Sequence, residues 1–343
     1  MKGRRHGQTD MNSERLSGDR LSCYIQSVFD DRGREALDLA RQAILEEEKR
    51  LESEKARDAL HYFMNSYWND TTRPALLSIA CEALGGDPKT TVQIGTALIL
   101  IGGAVDIHDD IIDRSRTKLG RTTVYGKYGM EMALLVGDAI LLKGFTLLQK
   151  AYRDVQPEVL DTIYGLIKDS FYELGEAEAL EIDVRGEKTL EIDEYLAIVK
   201  KKAADFEAYM RVGAALANAS EDETEALGKY GRKLGMLIIL GDDNSDMLDP
   251  SELINRIEKE VLPLPVLHAL EEPDLKRKLT PILLKKKISK KDAETILDMI
   301  YNAGIFDIVG NTLKSLISEG KLLLANLKNR KLLSLILEST YPE

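Results

Sequence analysis

Two short acidic runs are the residues best placed to do chemistry. "HDDIID" carries Asp109, Asp110 and Asp113, and "GDDNSD" carries Asp242, Asp243 and Asp246. Both have the spacing i, i+1, i+4. On a helix the first and last acids of each run share a face one turn apart, and the middle one flanks them. Three carboxylates so close repel one another, and each run follows an apolar helical stretch, near a helix C-terminus where the macrodipole disfavours anions. Clustered hard oxygen ligands suit Mg²⁺, which takes one or two carboxylates and fills its shell with water and phosphate oxygens. A solvated helix end is the bland explanation of one such run. Two runs with one spacing point instead to two acidic faces across a shared cavity, with metal ions between them able to hold a diphosphate.

Such faces need rigid elements behind them, and the chain supplies helices. Of its 343 residues 44% are hydrophobic, proline is sparse, and Ala, Leu, Ile, Glu and Lys dominate. That composition favours an all-α protein with a large core. Breaks at "WNDTTRP", "LGGDPK", "LGRTT", "RDVQPE", "RGEKT", "NASED", "LDPSE", "VLPLP" and "EEPDL" separate helical stretches of amphipathic or apolar pattern. No period-two strand pattern and no 20–50-residue repeat is present, so one domain is expected over residues 30–343, with residues 1–29 a disordered tail. The net charge of −11 argues against a nucleic-acid partner. Cys23 and Cys81 make no disulfide framework and suit a reducing cytoplasm. "TTVQIGTALILIGGAV" falls short of the ~20 apolar residues of a membrane span, so an integral membrane protein is not expected.

With these runs in view, the sequence resembles the trans-isoprenyl diphosphate synthases, the polyprenyl synthetases that include farnesyl and geranylgeranyl diphosphate synthases. "HDDIIDRS" with "GRTTVYGKYG" resembles the first aspartate-rich motif and the segment after it. "RPALLSIACEALGG", "LLVGDAILLKGFTLL", "KKAADFEAYMRVGAALANAS" and "LPVLHAL" match further segments in order, from about residue 70 to 270. The resemblance implies a single domain of antiparallel helices around a deep apolar cavity, and a homodimer or a heteromer with another synthase subunit. It implies that Mg²⁺, as three ions, binds an allylic diphosphate whose cation is attacked by isopentenyl diphosphate. Asp109, Asp110, Asp113, Asp242, Asp243 and Asp246 correspond to the metal ligands. Lys201 corresponds to a lysine on the allylic diphosphate. Lys118 corresponds to the first of two arginines after the first motif, and Arg73 to the arginine of GGKxxRP. Lys259 is an ambiguous match to a later lysine.

The departures cluster at the acceptor site. Asp70 stands where GGKxxRP has its lysine, Leu119 where the second arginine belongs, and Gly102 where a histidine leads into the first motif. Ile238 and Ile239 replace Phe-Gln before the second motif. An acid in place of a cation turns attraction for a diphosphate into repulsion, worth on the order of a few kcal/mol at 4 Å near a surface. Three readings are open: a chain-elongating synthase whose acceptor is held by Arg114, Arg116 or Arg121; an enzyme that passes the allylic cation to another acceptor or cyclises it; or a non-catalytic partner subunit. In the family, bulky residues just before the first motif floor the cavity. Here Ala104 and Val105 stand there, so a product of about twenty carbons or more is expected. Gly102 and Gly103, costing about 1 kcal/mol each in a helix, mark either a close helix approach or space for the chain.

Overall fold

The computed structural model describes residues 18–118, 120–151, 155–187 and 190–341. The chain runs through α1 (Gly18–Glu48), α2 (Glu54–Tyr62), a π-helical turn (Phe63–Tyr67), α3 (Thr72–Ala83) and, after a 3₁₀ turn, α4 (Val92–Ile112). A small hairpin of β1 (Thr117–Lys118) and β2 (Arg121–Thr122) leads to α5 (Val124–Tyr128), α6 (Met130–Lys150) and α7 (Pro157–Val184). Next come α8 (Ile192–Lys202), α9 (Ala204–Leu216), α10 (Glu221–Leu248), α11 (Pro250–Lys259) and α12 (Leu264–Glu271). The described chain closes with α13 (Pro273–Leu283), α14 (Lys290–Asn302), α15 (Ile305–Leu323) and α16 (Lys331–Thr340). This is the expected all-α, single-domain fold, with the hairpin as its only strands among the described residues.

One boundary is corrected. Residues 18–29 belong to α1, because Leu21, Ile25 and Phe29 repeat at helical spacing and are buried against the core. Residues 1–17, the rest of the expected tail, lie outside the described residues, as does Leu119.

The two helices that end in acids, α4 and α10, are core helices. Residues Pro88–Ile112 are long and apolar enough to cross a membrane, yet most of that stretch is buried inside the fold, which makes it a core segment. α4 packs along α6 and α1, and α10 along α9 and α15. Close approach is built in: a Cβ at Gly144 of α6 would lie 3.0 Å from the Ala97 carbonyl oxygen, and one at Gly231 of α10 would lie 2.5 Å from that of Phe206. α10 starts in a Ser220/Glu223 capping box, and Pro250 opens α11 directly after the Asp249 cap, so the second acidic run sits at a sharp helix end.

Candidate active site

The end of α4 presents Val105, Asp106, Asp109 and Asp113 at three- and four-residue spacing, with Asp110 turned inward. Asp110 is 2% exposed, and its Oδ1 has no hydrogen-bond partner among the described residues. Burial pushes its carboxyl up to about 7; Lys118 opposes this, and Asp109 and Asp106 add to it. Burial, then the charge of Asp109, raises Asp113 to about 7 even with Arg185 Nη2 2.7 Å from its Oδ1. Asp106, one turn before Asp109, is raised to about 6 by burial, eased by Arg73 and Lys118. Lys118 Nζ reaches Asp109 at 3.4 Å. Across the site, burial raises Asp242, and Lys118 is again the first charge opposing it. Lys118 thus lies near acids of both runs.

The middle acid of the second run behaves differently. Asp243 is buried and accepts hydrogen bonds from the Tyr195 hydroxyl and the Arg256 guanidinium. Both its oxygens are engaged within the core, and neither is turned toward the first run. Helical spacing explains it: Asp243 lies on the buried stripe of Met236, Leu240 and Met247, whereas Asp242 and Asp246 lie beside that stripe. Arg256 Nε also sits 3.3 Å from Asp246, whose carboxyl burial raises to about 6.

The bases carry a second correction. Lys201 pairs with Glu176 at 2.7 Å on the outside of α8. Lys202 is the lysine beside the first acidic run: it pairs with Glu178 at 3.1 Å and Glu181 at 2.5 Å, and its charge reaches Asp109 and Asp113. Tyr195, Ile198, Val199 and Lys202 share one face of α8, and Lys201 does not.

Arg73 is already neutralised. Its Nη1 meets Asp70 Oδ2 at 2.8 Å, its Nε meets Asp205 Oδ2 at 2.8 Å, and its guanidinium lies 5.4 Å from the centre of the Phe206 ring. Asp70 also caps α3, accepting from the Thr72 and Arg73 amides at 2.8 and 3.3 Å. Arg121 stands opposite Lys118 in the hairpin and donates to the Tyr67 carbonyl at 3.4 Å. Arg114, with φ of 56°, lines a groove beside Asp113 together with Arg116, Arg185 and Lys259. Arg114, Arg116 and Lys259 make no ion pair among the described residues.

Below Asp106 lies a narrow, partly open cavity of about 50 Å³ between α3, α4, α7 and α9. Arg73, Asp106 and Asp205 mark its charged end; Leu98, Ile101, Ile167, Phe171, Leu174 and Val212 give it an apolar body. Val105 lines this cavity. Ala104 does not: it is fully buried on the opposite face of α4 with Leu100 and Ile107, so its expected place along the chain path is corrected. The paired glycines admit aromatic neighbours. A Cβ at Gly102 would sit 3.2 Å from the Tyr209 hydroxyl oxygen, and one at Gly103 would sit 3.0 Å from the Phe63 ring.

Asp109, Asp110, Asp113, Asp242 and Asp246 fit Mg²⁺ as donors. The carboxyls of Asp110, Asp113 and Asp246 are raised by burial, and Asp110 keeps an unpartnered oxygen; a divalent cation would displace their protons and take the oxygens as hard ligands. Among the described residues no three His, Cys, Asp or Glu side chains converge closely enough to hold a metal ion on their own.

Sequence reasoning missed Asp106, Lys202 and Arg256. The buried-face periodicity of α4 and α8 could have supplied the first two. Arg256 approaches through the turn between α10 and α11, for which the sequence carries no register.

Comparison with known proteins agrees with this fold. A model of the polyprenyl synthetase family matches residues 56–300. A geranylgeranyl diphosphate synthase of Methanosarcina mazei is 31% identical over 255 residues, 73% of this chain and 77% of that one. A (2E,6E)-farnesyl diphosphate synthase of Mycobacterium tuberculosis is 32% identical over 181 residues, 52% of this chain and 49% of that one. The crystal structure of the geranylgeranyl pyrophosphate synthetase of Pyrococcus horikoshii superposes with a TM-score of 0.79 at 26% identity, covering 93% of this chain and 99% of that one.

Proposed function

This chain belongs to the polyprenyl synthetase family and is a prenyltransferase, and from that premise we propose that it condenses an allylic diphosphate with isopentenyl diphosphate to give an all-trans isoprenyl diphosphate of fifteen to twenty carbons. The observation that supports this reading is that the charge of Lys118 acts on acids of both runs, beside a cavity with a charged end at Asp106 and an apolar body. Asp109, Asp110, Asp113, Asp242 and Asp246 would hold three Mg²⁺ ions, which when bound offset the charge growing on the departing diphosphate. Lys118 and Lys202 bind the same diphosphate's oxygens. The apolar cavity takes the tail and keeps water from the allylic cation.

The acceptor diphosphate needs other bases than Arg73, which Asp70 and Asp205 neutralise. Arg114 and Arg116, in the groove beside Asp113, support an acceptor held there, with Arg185 and Lys259 behind them. On α6, Met130, Leu134, Leu135 and Leu142 form an exposed apolar face that supports a homodimer. Unpaired Cys23 and Cys81 accord with a cytoplasmic protein.

The experiment is incorporation of labelled isopentenyl diphosphate with geranyl diphosphate as primer in Mg²⁺. Labelled product of fifteen or twenty carbons is expected. Diphosphate release without incorporation would move the assignment to another acceptor, and turnover only on mixing with a second synthase chain would make it a partner subunit.

A further inference from the structure

We propose that the lysine-rich turn between α13 and α14, residues 284–291, is a docking surface for an anionic lipid bilayer. Eight of the chain's 47 bases and none of its 58 acids fall within residues 275–291, and all eight side chains are exposed. α13 presents Lys276, Arg277 and Lys278; the turn and the start of α14 present Lys285, Lys286, Lys287, Lys290 and Lys291. Among the described residues only Arg277 and Lys285 are paired, with Asp274 at 3.0 Å and Asp292 at 2.5 Å. The other ammonium groups stand in water with no counter-charge. Their placing has a local cost: neighbouring lysines repel one another, and Lys290 and Lys291 open α14, where the helix dipole disfavours cations.

The turn is held firmly while its charges point outward. Ile288, between the lysines, is buried, and its amide donates to Glu258 Oε1 of α11 at 2.8 Å. Ser289 and Asp292 form the capping box that starts α14. Leu284 is the exception among the apolar residues of the turn: it is 68% exposed, directly before Lys285. Ammonium groups around one exposed leucine suit the boundary of a bilayer, where the charges meet lipid phosphates and the leucine enters the acyl layer.

Charge and shape favour a bilayer over a nucleic acid. The chain outside this patch is more acidic than the overall −11, so a polyanion running past the patch is repelled. A bilayer meets one face only, and acids beyond about 8–10 Å are screened from it. Seven of the eight bases are lysines, point charges without the planar fork of arginine that reads bases and phosphates in pairs. The position also has a use. Glu258, which anchors the turn, lines the groove of Arg114 and Arg116, so docking brings that groove to a surface into which an isoprenyl tail partitions. That use rests on the prenyltransferase reading; the docking surface does not.

The test is sedimentation of the full chain with vesicles of phosphatidylcholine alone or mixed with phosphatidylglycerol, at low and high salt. Binding to the mixed vesicles at low salt is expected, with loss at high salt and on phosphatidylcholine alone. Each lysine near such a surface contributes about fivefold to partitioning. The variant Lys286→Gln, Lys287→Gln, Lys290→Gln, Lys291→Gln should therefore bind at least a hundredfold more weakly. Leu284→Ser should weaken binding severalfold. A charge-matched control, Lys49→Gln, Lys55→Gln, Lys89→Gln, Lys328→Gln, removes four exposed lysines elsewhere and should bind as the wild type does. All of these positions are exposed, and matching thermal unfolding verifies that each variant is folded. No binding by the wild type, equal losses in the two lysine variants, or displacement from vesicles by an equal charge of duplex DNA would overturn the proposal. The readout needs no turnover, so an inactive wild type would sink the condensation reading and leave this one to be decided by the vesicles.

Discussion

Asp110→Asn should make the metal-free protein more stable while abolishing its activity. Asp110 is 2% exposed with one oxygen unpartnered, and its carboxyl is lifted from an ordinary 3.8 to about 7, chiefly by burial. At about 1.4 kcal/mol per pH unit, holding the carboxylate ionised at pH 8 costs about 4 kcal/mol. The sign is that of an acid whose folded pKa is raised: its contribution to stability is complete below about pH 4 and is lost as pH rises through about 7. The neutral amide avoids that loss but remains a buried polar group, which reduces the expected gain to about 2–3 kcal/mol. With an unfolding entropy near 2 cal/mol/K per residue over 343 residues, this is a rise of about 3–4 °C in Tm. The assay is thermal unfolding of both proteins in chelator at pH 5 and pH 8, alongside turnover in Mg²⁺. A gain at pH 8 that disappears at pH 5, with turnover down at least a hundredfold, is the expected pattern. A lower Tm at pH 8, or an equal gain at both pH values, would refute the reasoning that burial of this charge is an unrelieved cost awaiting a cation.

Three further outcomes are expected. Lys202→Ala should raise the KM for the allylic diphosphate at least tenfold and Lys201→Ala should change it by less than about twofold, as an exposed pair such as Lys201–Glu176 contributes little; equal effects would contradict the face assignment of α8. Asp70→Asn keeps an oxygen to cap α3 and frees Arg73 of one partner, but with the acceptor held in the Arg114 groove the KM for isopentenyl diphosphate should stay as in the wild type; a clear fall would show that Arg73 touches the acceptor. Ala104→Phe should destabilise the fold by about 1–3 kcal/mol through overpacking between α4 and its core neighbours, leaving product length as it was; a shortened product in chromatographic analysis would show that the tail passes Ala104 after all.

Much of this arrangement was legible in the residue order, because helix periodicity and two identical acid spacings are local signals. The aspartate runs announced themselves, as did the all-α class. What escaped was rotation about a helix axis. Motif position alone does not distinguish Asp243 from Asp242 or Lys201 from Lys202, which differ by about 100° about the helix axis; the buried stripes Met236–Leu240–Met247 and Tyr195–Ile198–Val199 fix those faces. Ala104 was misplaced for the same reason. The start of α1 was drawn about twelve residues late because the polar, basic opening obscured Leu21, Ile25 and Phe29, whose partners on other helices are distant in sequence. Asp70 was seen as a lost cation, but its two further parts, capping α3 and neutralising Arg73, needed the fold.

The central claim is that both acidic runs hold an allylic diphosphate through Mg²⁺. Calorimetric binding of a non-ionising allylic diphosphate analogue to the wild type, Asp109→Ala and Asp242→Ala, with Mg²⁺ and with chelator, tests it most directly. Tight binding to the wild type only with Mg²⁺, weakened at least a hundredfold by either substitution, is the predicted result. Binding that persists in chelator, or survives loss of Asp242 unchanged, would contradict it.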